Sequence, residues 1–221
     1  MNAVTVDGKT ITQCFELVSQ VTKEVEGLCG ILPDMITEAL SQIRPPLCKL
    51  NGKYVNDSRK DNSEWVITDS AYSFPIKGKS KKNTQAYIGF QISLMGDGIA
   101  ISGNNEPLLH VFLQEDYCFF EEFNYIGFPL EYDENDPQLR VINDRLLLWG
   151  DKELDWGTEG FEWNQFHWVY SLRLMALNSP EDLKKHIIEP ILNLLRGEDV
   201  LSALSDSLPA LVKYPEIEQL I

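Results

Sequence analysis

The middle of the chain alternates apolar and polar residues, a pattern that constrains the fold more than any other feature of this sequence. Between positions 86 and 94 every second residue is apolar: Ala86, Ile88, Phe90, Ile92 and Leu94. A period of two places these side chains on one face of a pleated strand. A later run has the same period: Phe166, Trp168, Tyr170, Leu172 and Leu174. This pattern is typical of a half-buried strand, so the chain is expected to form a sheet with one face buried and the other facing water.

Turn residues divide this region at short intervals. Asn51-Gly52 is typical of a tight hairpin, and glycine-containing segments at 96–98 and 103–105 turn the chain again. Such short connections favour an antiparallel meander, because parallel strands need long crossovers. Beside the two alternating runs, strands are expected over residues 99–101, 108–113, 117–123 and 139–149.

Two helices are expected before the sheet. Apolar residues recur at helical spacing over residues 11–28, which predicts an amphipathic helix. Gly27 and Gly30 are expected to end it. A second helix is expected over 34–43, since Asp at its start is a good N-cap. The first 45 residues are thus predicted to form a helical hairpin.

The C-terminal region carries the clearest helix start. Ser179 stands at the N-cap position, Pro180 at the first helical position and Asp182 at the third. Pro190 lies inside the following apolar pattern and predicts a kink. Residues 177–221 are therefore expected to be helical in large part.

Together these segments predict an α+β fold with an antiparallel sheet of about six to eight strands. The N-terminal helical hairpin and the C-terminal helices are expected to flank this sheet. The 221 residues suit a single domain, with the hairpin in 1–45, the β-rich core in 46–176 and the C-terminal helices in 177–221. Strands and helices do not alternate, which argues against a doubly wound parallel sheet.

Charge is distributed unevenly along the chain. There are 34 acidic and 19 basic residues, a formal net charge of -15. Residues 115–162 contain 14 acidic and 3 basic residues, whereas residues 44–82 contain 9 basic and 4 acidic ones. Phosphate backbones require clustered Lys and Arg. The sequence therefore predicts no direct binding of nucleic acid and favours a basic partner.

The N-terminus, the apolar runs and the cysteines indicate in which cellular compartment the protein is expected. The N-terminus lacks the basic and apolar regions of a signal peptide, and the longest apolar runs are too short to cross a bilayer. The four cysteines, Cys14, Cys29, Cys48 and Cys118, have no CxxC spacing. These features predict reduced thiols in a cytoplasmic protein without membrane contact. A disulfide between Cys14 and Cys29 is the alternative that the sequence leaves open.

No local motif identifies a cofactor, a metal or a catalytic set. The glycines at 96–103 lack the spacing of a phosphate loop, and a strand is expected where a helix should begin. The acidic loop at 131–136 lacks the spacing and the glycine of a calcium loop. The enzymatic alternative is a hydrolase-like site assembled only by the fold, with His110, His167 and Cys118 as its candidates.

Large aromatic residues stand among the acidic ones in the second half of the chain. Trp and Tyr anchor interfaces, and flanking charge steers association. The simpler interpretation is that the aromatic rings enter the core while the carboxylates face water. The residues expected to bind a partner are Glu121, Glu122, Asp133, Glu134, Asp136, Asp151, Asp155 and Trp156.

The leading functional hypothesis is a binding protein that occludes a basic surface of another protein. Bacterial immunity proteins, antitoxins and inhibitors that mimic DNA act in this way, because fixed carboxylates replace phosphates. A third hypothesis is a subunit of a larger assembly. That hypothesis predicts apolar residues left exposed in the N-terminal helical region.

Overall fold

An eight-stranded antiparallel sheet forms the centre of the computed structural model. The structure describes residues 7–43, 48–103, 105–130, 139–149, 154, 166–216 and 220. The strands are β1 (Cys48–Leu50), β2 (Val55–Lys60), β3 (Ile67–Gly78), β4 (Ala86–Ser93), β5 (Leu108–Gln114), β6 (Arg140–Ile142), β7 (Leu146–Trp149) and β8 (His167–Arg173). A long N-terminal helix and C-terminal helices flank them, so the predicted α+β class is confirmed.

The strands lie in the order β1-β3-β4-β5-β8-β7-β6, and β2 also pairs with β3. Strand β4 pairs with β5 so that Phe90 lies opposite Val111, and β5 pairs with β8 so that Val111 lies opposite Tyr170. These residues belong to one apolar layer on the helix side of the sheet. The period of two in the sequence therefore identifies the face that packs on the helices, but the expectation of a half-buried strand is wrong, because the opposite face of β4 and β5 is buried as well.

One continuous helix, α1 (Gly8–Gln42), replaces the predicted helical hairpin. It passes through Gly27, Gly30 and Pro33 without ending. Glycine costs a helix about 1 kcal/mol and proline about 3 kcal/mol. Burial of the C-terminal half against the sheet outweighs these costs, since Leu32 and Ile36 are both buried. Although α1 is long, none of the helices in the described ranges is apolar enough over its length to cross a membrane.

The C-terminal helices begin as the sequence predicts. Ser179 caps α2 (Pro180–Leu183), and its side chain accepts a hydrogen bond from the backbone N–H of Asp182. A π-helical turn (Lys184–Ile188) joins α2 to α3 (Glu189–Leu195), and α4 (Val200–Ala203) follows. Residues Ile187, Ile191 and Leu194 pack on the same side of the sheet as α1.

Loops and a short helix cover the opposite face of the sheet. Gly96–Ser102 is a 3₁₀-helix where a strand is expected at 99–101. The segment 139–149 is a hairpin of β6 and β7 rather than one strand, because Asn143 and Asp144 adopt the positive φ angles of a tight turn. This face contains buried polar side chains among its apolar ones: Ser73, Gln91, Ser93, His110 and Ser171.

Candidate functional site

Two of the eight predicted partner-binding residues lie in the described part of the chain. Glu121 and Glu122 are both exposed, and they lie next to each other in one tight turn. The other six lie outside the described residues: Asp133, Glu134, Asp136, Asp151, Asp155 and Trp156. The candidate site is therefore built around the turn that holds Glu121 and Glu122.

This turn occupies residues 119–124, where the sequence predicts a strand. Phe119 and Asn124 form an isolated antiparallel bridge, with N···O distances of 2.8 and 3.1 Å between their backbones. The chain thus reverses within four residues instead of extending. We call residues 119–124 the acidic-aromatic turn, because Glu121, Glu122 and Phe123 form its tip.

Three contacts fix the base of the acidic-aromatic turn. The carboxylate of Asp57 accepts a hydrogen bond of 2.8 Å from the backbone N–H of Phe120. The side-chain amide of Asn124 donates to the carbonyl of Tyr117 at 2.7 Å. The ring of Phe120 is buried against the sheet. These contacts explain why the segment folds back, and they hold its tip in one place.

Phe123 is the most unusual residue of the turn. Its side chain is 80% exposed, and its φ angle is +58°. A bulky residue in the left-handed region costs about 1–2 kcal/mol. Neither packing nor backbone preference therefore accounts for a phenylalanine here, and the partner-binding hypothesis offers one reason for it.

Replacing Phe123 with asparagine is expected to raise the free energy of unfolding by about 1 kcal/mol, because asparagine tolerates the left-handed region. Urea unfolding of the wild type and of F123N measures the difference. A lower stability for F123N would show that the phenylalanine ring supports the fold, and the binding interpretation would lose its basis.

A cluster of charged and aromatic groups lies beneath the turn. The guanidinium of Arg59 donates to Asp69 at 2.9 Å and to Asp97 at 2.7 Å. It also lies over the rings of Tyr125 and Phe120, at 4.4 and 5.4 Å from their centroids. Arg59 thus joins the buried face of the sheet to both sides of the turn.

The same cluster keeps Asp97 ionised. Burial acts to raise the pKa of Asp97, but hydrogen bonds from the Tyr125 hydroxyl, at 2.6 Å, and from Arg59 hold that pKa below its ordinary value. The carboxylate therefore stays negative over a wide pH range. It adds fixed negative charge at the base of the acidic-aromatic turn.

A cavity of about 290 Å³ opens beside the turn. Phe123, Tyr125 and Asp97 line one side, and Trp149 lines another. Gln114 also lines it, and the buried side-chain nitrogen of Gln114 has no hydrogen-bond partner. The cavity is therefore large enough to accept a side chain of a partner.

The three candidates of the enzymatic hypothesis are not brought together. His110 is fully buried, with Nδ1 2.7 Å from the Ser171 hydroxyl and Nε2 2.7 Å from the Gly98 carbonyl. Cys118 is also buried, but its Sγ contacts a different residue, Gln91, whose Oε1 lies 3.5 Å away. Burial raises the pKa of the Cys118 thiol. His167 packs edge-on against Trp149. Among the described residues that line the cavity, none is one of these three.

The described His, Cys, Asp and Glu side chains form neither a metal site nor a disulfide. Within the described ranges, no group of three or more His, Cys, Asp or Glu side chains is placed to hold a metal ion. All four cysteines are free thiols, so the alternative of a Cys14–Cys29 disulfide is wrong. The long helix explains this, because both residues lie in α1 and are separated by four turns.

Several residues of the site give no local signal in the sequence. Arg59, Asp97 and Tyr125 are far apart along the chain and meet only through the fold. Phe123 is separated by two residues from the apolar run that ends at Phe120, and the sequence therefore predicts a strand through it. The adjacent Asn124 is the one turn-forming residue that could have indicated the reversal.

Comparisons with known proteins add nothing to this geometry. No family model matches the chain, and neither the curated proteins nor the solved structures gave a match. The function is therefore argued from the residues of the site.

Proposed function

We propose that this protein binds a basic protein through the acidic-aromatic turn and occludes that partner's functional surface. The observation that carries the proposal is Phe123, which is 80% exposed beside the exposed carboxylates of Glu121 and Glu122. An aromatic side chain supplies the apolar anchor of an interface, and flanking charges supply attraction and orientation. Bacterial immunity proteins, antitoxins and other inhibitors act in this manner.

The rigidity of the turn supports this proposal. Binding loses affinity whenever a loop must be ordered at the interface. Here the contacts of Asp57 and Asn124 hold the base of the turn before any partner arrives. The anchor is therefore pre-organised, and its cavity is open to a partner side chain.

Charge supports a basic partner rather than nucleic acid. The chain has a net charge of -15, and its acidic residues are most frequent between positions 115 and 162, the stretch of sequence that contains the turn. Such a field attracts basic surfaces and repels phosphates. Asp133, Glu134, Asp136, Asp151, Asp155 and Trp156 belong to the same stretch and are proposed to extend the surface. The free thiols agree with action in a reducing cytoplasm.

Reversing both exposed charges of the turn is expected to weaken binding about tenfold and to remove most of its salt dependence. The test uses the E121K/E122K variant and the wild type as baits in a host lysate, at low and at moderate salt. Mass spectrometry quantifies each captured protein. The expected result is one basic protein that the wild type retains and salt releases.

The matched control is E189K/E198K, which changes the net charge equally at exposed positions on the C-terminal helical side. It is expected to retain the partner as the wild type does. F123N is expected to lose the partner at both salt concentrations, since it removes the apolar anchor. Equal recovery of the basic protein by the wild type and E121K/E122K would contradict the proposal.

A further inference from the structure

The first part of α1 extends along the protein with its apolar side uncovered. None of residues 8–20 is buried. The large apolar side chains there are 41–62% exposed: Ile11, Phe15, Leu17 and Val18. We call residues 8–20 the arm. This exposure is the feature that the assembly hypothesis predicts for the N-terminal region.

The arm is a poor helix by its own composition. Thr10, Ile11, Thr12 and Val18 are β-branched residues, which lose side-chain freedom in a helix. In proteins most of the stability of a helix comes from packing of its apolar face rather than from intrinsic propensity. A helix of this composition therefore gains its stability from contacts, and the arm makes few contacts with the rest of its own chain.

The apolar residues of α1 follow a heptad repeat. The first core position of the heptad holds Ile11, Val18, Val25 and Leu32, and the second holds Cys14, Val21, Leu28 and Met35. A repeat of this kind is typical of a helix that packs lengthwise on another helix. Val25, Leu28, Leu32 and Met35 pack in the protein's own core. The same stripe continues uncovered along the arm.

Charge indicates what covers the arm. Lys9, Glu16 and Lys23 all occupy one heptad position on the outer side of the helix. The apolar side is therefore uncharged from residue 8 to residue 23. An uncharged surface is a poor match for the basic partner of the acidic-aromatic turn, but it is complementary to an equally uncharged helix.

We propose that the arm packs against the arm of a second copy of this chain. A groove for it lies between Cys14, Phe15 and Val18 on the arm and Asp61 and Trp65 at the β2–β3 turn. Trp65 is 78% exposed, and the Asp61 carboxylate already accepts hydrogen bonds from the backbone N–H groups of Trp65 and Val66. In a two-fold symmetric dimer each of these residues contributes to the interface once from each copy. With two aromatic side chains and several aliphatic ones, each copy would bury roughly 600 Å², near the lower limit for a stable interface.

The oligomeric state of the full chain tests this proposal. Sedimentation equilibrium should give a mass near twice the 25.2 kDa of one copy, falling toward one copy on dilution. The F15E/V18E variant should remain at the mass of one copy at every concentration. The arm residues are not buried, so this variant should keep the circular dichroism signal of the sheet and the C-terminal helices.

The matched control is Q13E/S19E, which adds the same charge to the polar side of the arm. It should form the dimer as the wild type does. A wild type with the mass of one copy at all concentrations, or a dimeric F15E/V18E, would overturn the proposal. This outcome is separate from the lysate experiment, which depends on the acidic-aromatic turn.

Cys14 provides a second readout, since it is an exposed thiol on the apolar side of the arm. Its alkylation by N-ethylmaleimide, measured by peptide mass spectrometry, should slow as the wild-type concentration rises. The rate for F15E/V18E should not depend on concentration. A constant rate in the wild type would show that a second copy does not cover the arm.

Discussion

Replacement of Arg59 by alanine is expected to lower the free energy of unfolding by about 3 kcal/mol. Its partner Asp69 has a fully buried side chain, and one of its carboxylate oxygens already lacks a hydrogen-bond partner. Without the guanidinium of Arg59, the buried carboxylate of Asp69 would lose the positive charge with which it is paired among the described residues. The side chain of Arg59 is itself 27% exposed, which places the cost at the lower end of the range for buried pairs.

Urea unfolding at neutral pH measures this effect. The double variant R59A/D69A should recover more than half of the loss, because it removes the stranded charge together with its partner. R196A changes an exposed arginine and should stay within about 0.5 kcal/mol of the wild type. Equal stabilities for R59A and R196A would contradict the buried-pair interpretation.

The second large effect is a loss of stability in acid that originates at His110. Burial lowers the pKa of His110 from 6.5 to about 4. The carbonyl of Gly98 can only accept a hydrogen bond, so Nε2 carries the proton and Nδ1 accepts from the Ser171 hydroxyl. Ser171 in turn can accept from the hydroxyl of Tyr214, at 2.6 Å. Protonation of Nδ1 would break this chain of hydrogen bonds.

The direction of the pH effect follows from these pKa values. Between pH 6.5 and about pH 4 the unfolded chain binds a proton at His110 and the folded protein does not. The contribution of His110 to stability is therefore complete above pH 6.5 and is lost as the pH falls toward 4. The shift corresponds to about 3 kcal/mol.

Urea unfolding of the wild type and of H110Q, repeated from pH 7 to pH 4, isolates this contribution. Carboxylates titrate in both proteins, so their effects cancel in the difference. The stability gap between the wild type and H110Q should therefore narrow by about 3 kcal/mol toward pH 4. Parallel curves for the two proteins would show that His110 does not titrate on unfolding.

Both effects arise on the face of the sheet that holds the candidate site. Arg59 contacts Phe120 within the acidic-aromatic turn and Tyr125 next to it, and His110 fixes the 3₁₀-helix through Gly98. Buried polar groups of this kind contribute specific geometry as well as stability. We therefore expect R59A to weaken partner binding in the same lysate experiment.

Local sequence patterns were enough to predict the fold class and the strands β4, β5 and β8. An alternation such as Ile88, Phe90 and Ile92 fits a strand and not a helix, and short polar turns leave little choice but antiparallel pairing. The helix start at Ser179 was equally predictable from the sequence, because its capping contacts involve residues within one turn of each other. Local chemistry decides these features, so a local pattern predicts them.

The long helix, the reversal at residues 119–124 and the ion cluster depend on contacts between distant parts of the chain. Gly27, Gly30 and Pro33 are local signals for ending a helix, but packing of α1 on the sheet outweighs them. The reversal at residues 119–124 depends on Asp57, more than sixty residues away, and the ion cluster depends on Arg59 and Asp97 meeting across the fold. Such contacts between distant residues carry most of the free energy that fixes a loop or a long helix. The residues that form these contacts recur at no fixed spacing along the chain, and therefore no sequence pattern predicts them.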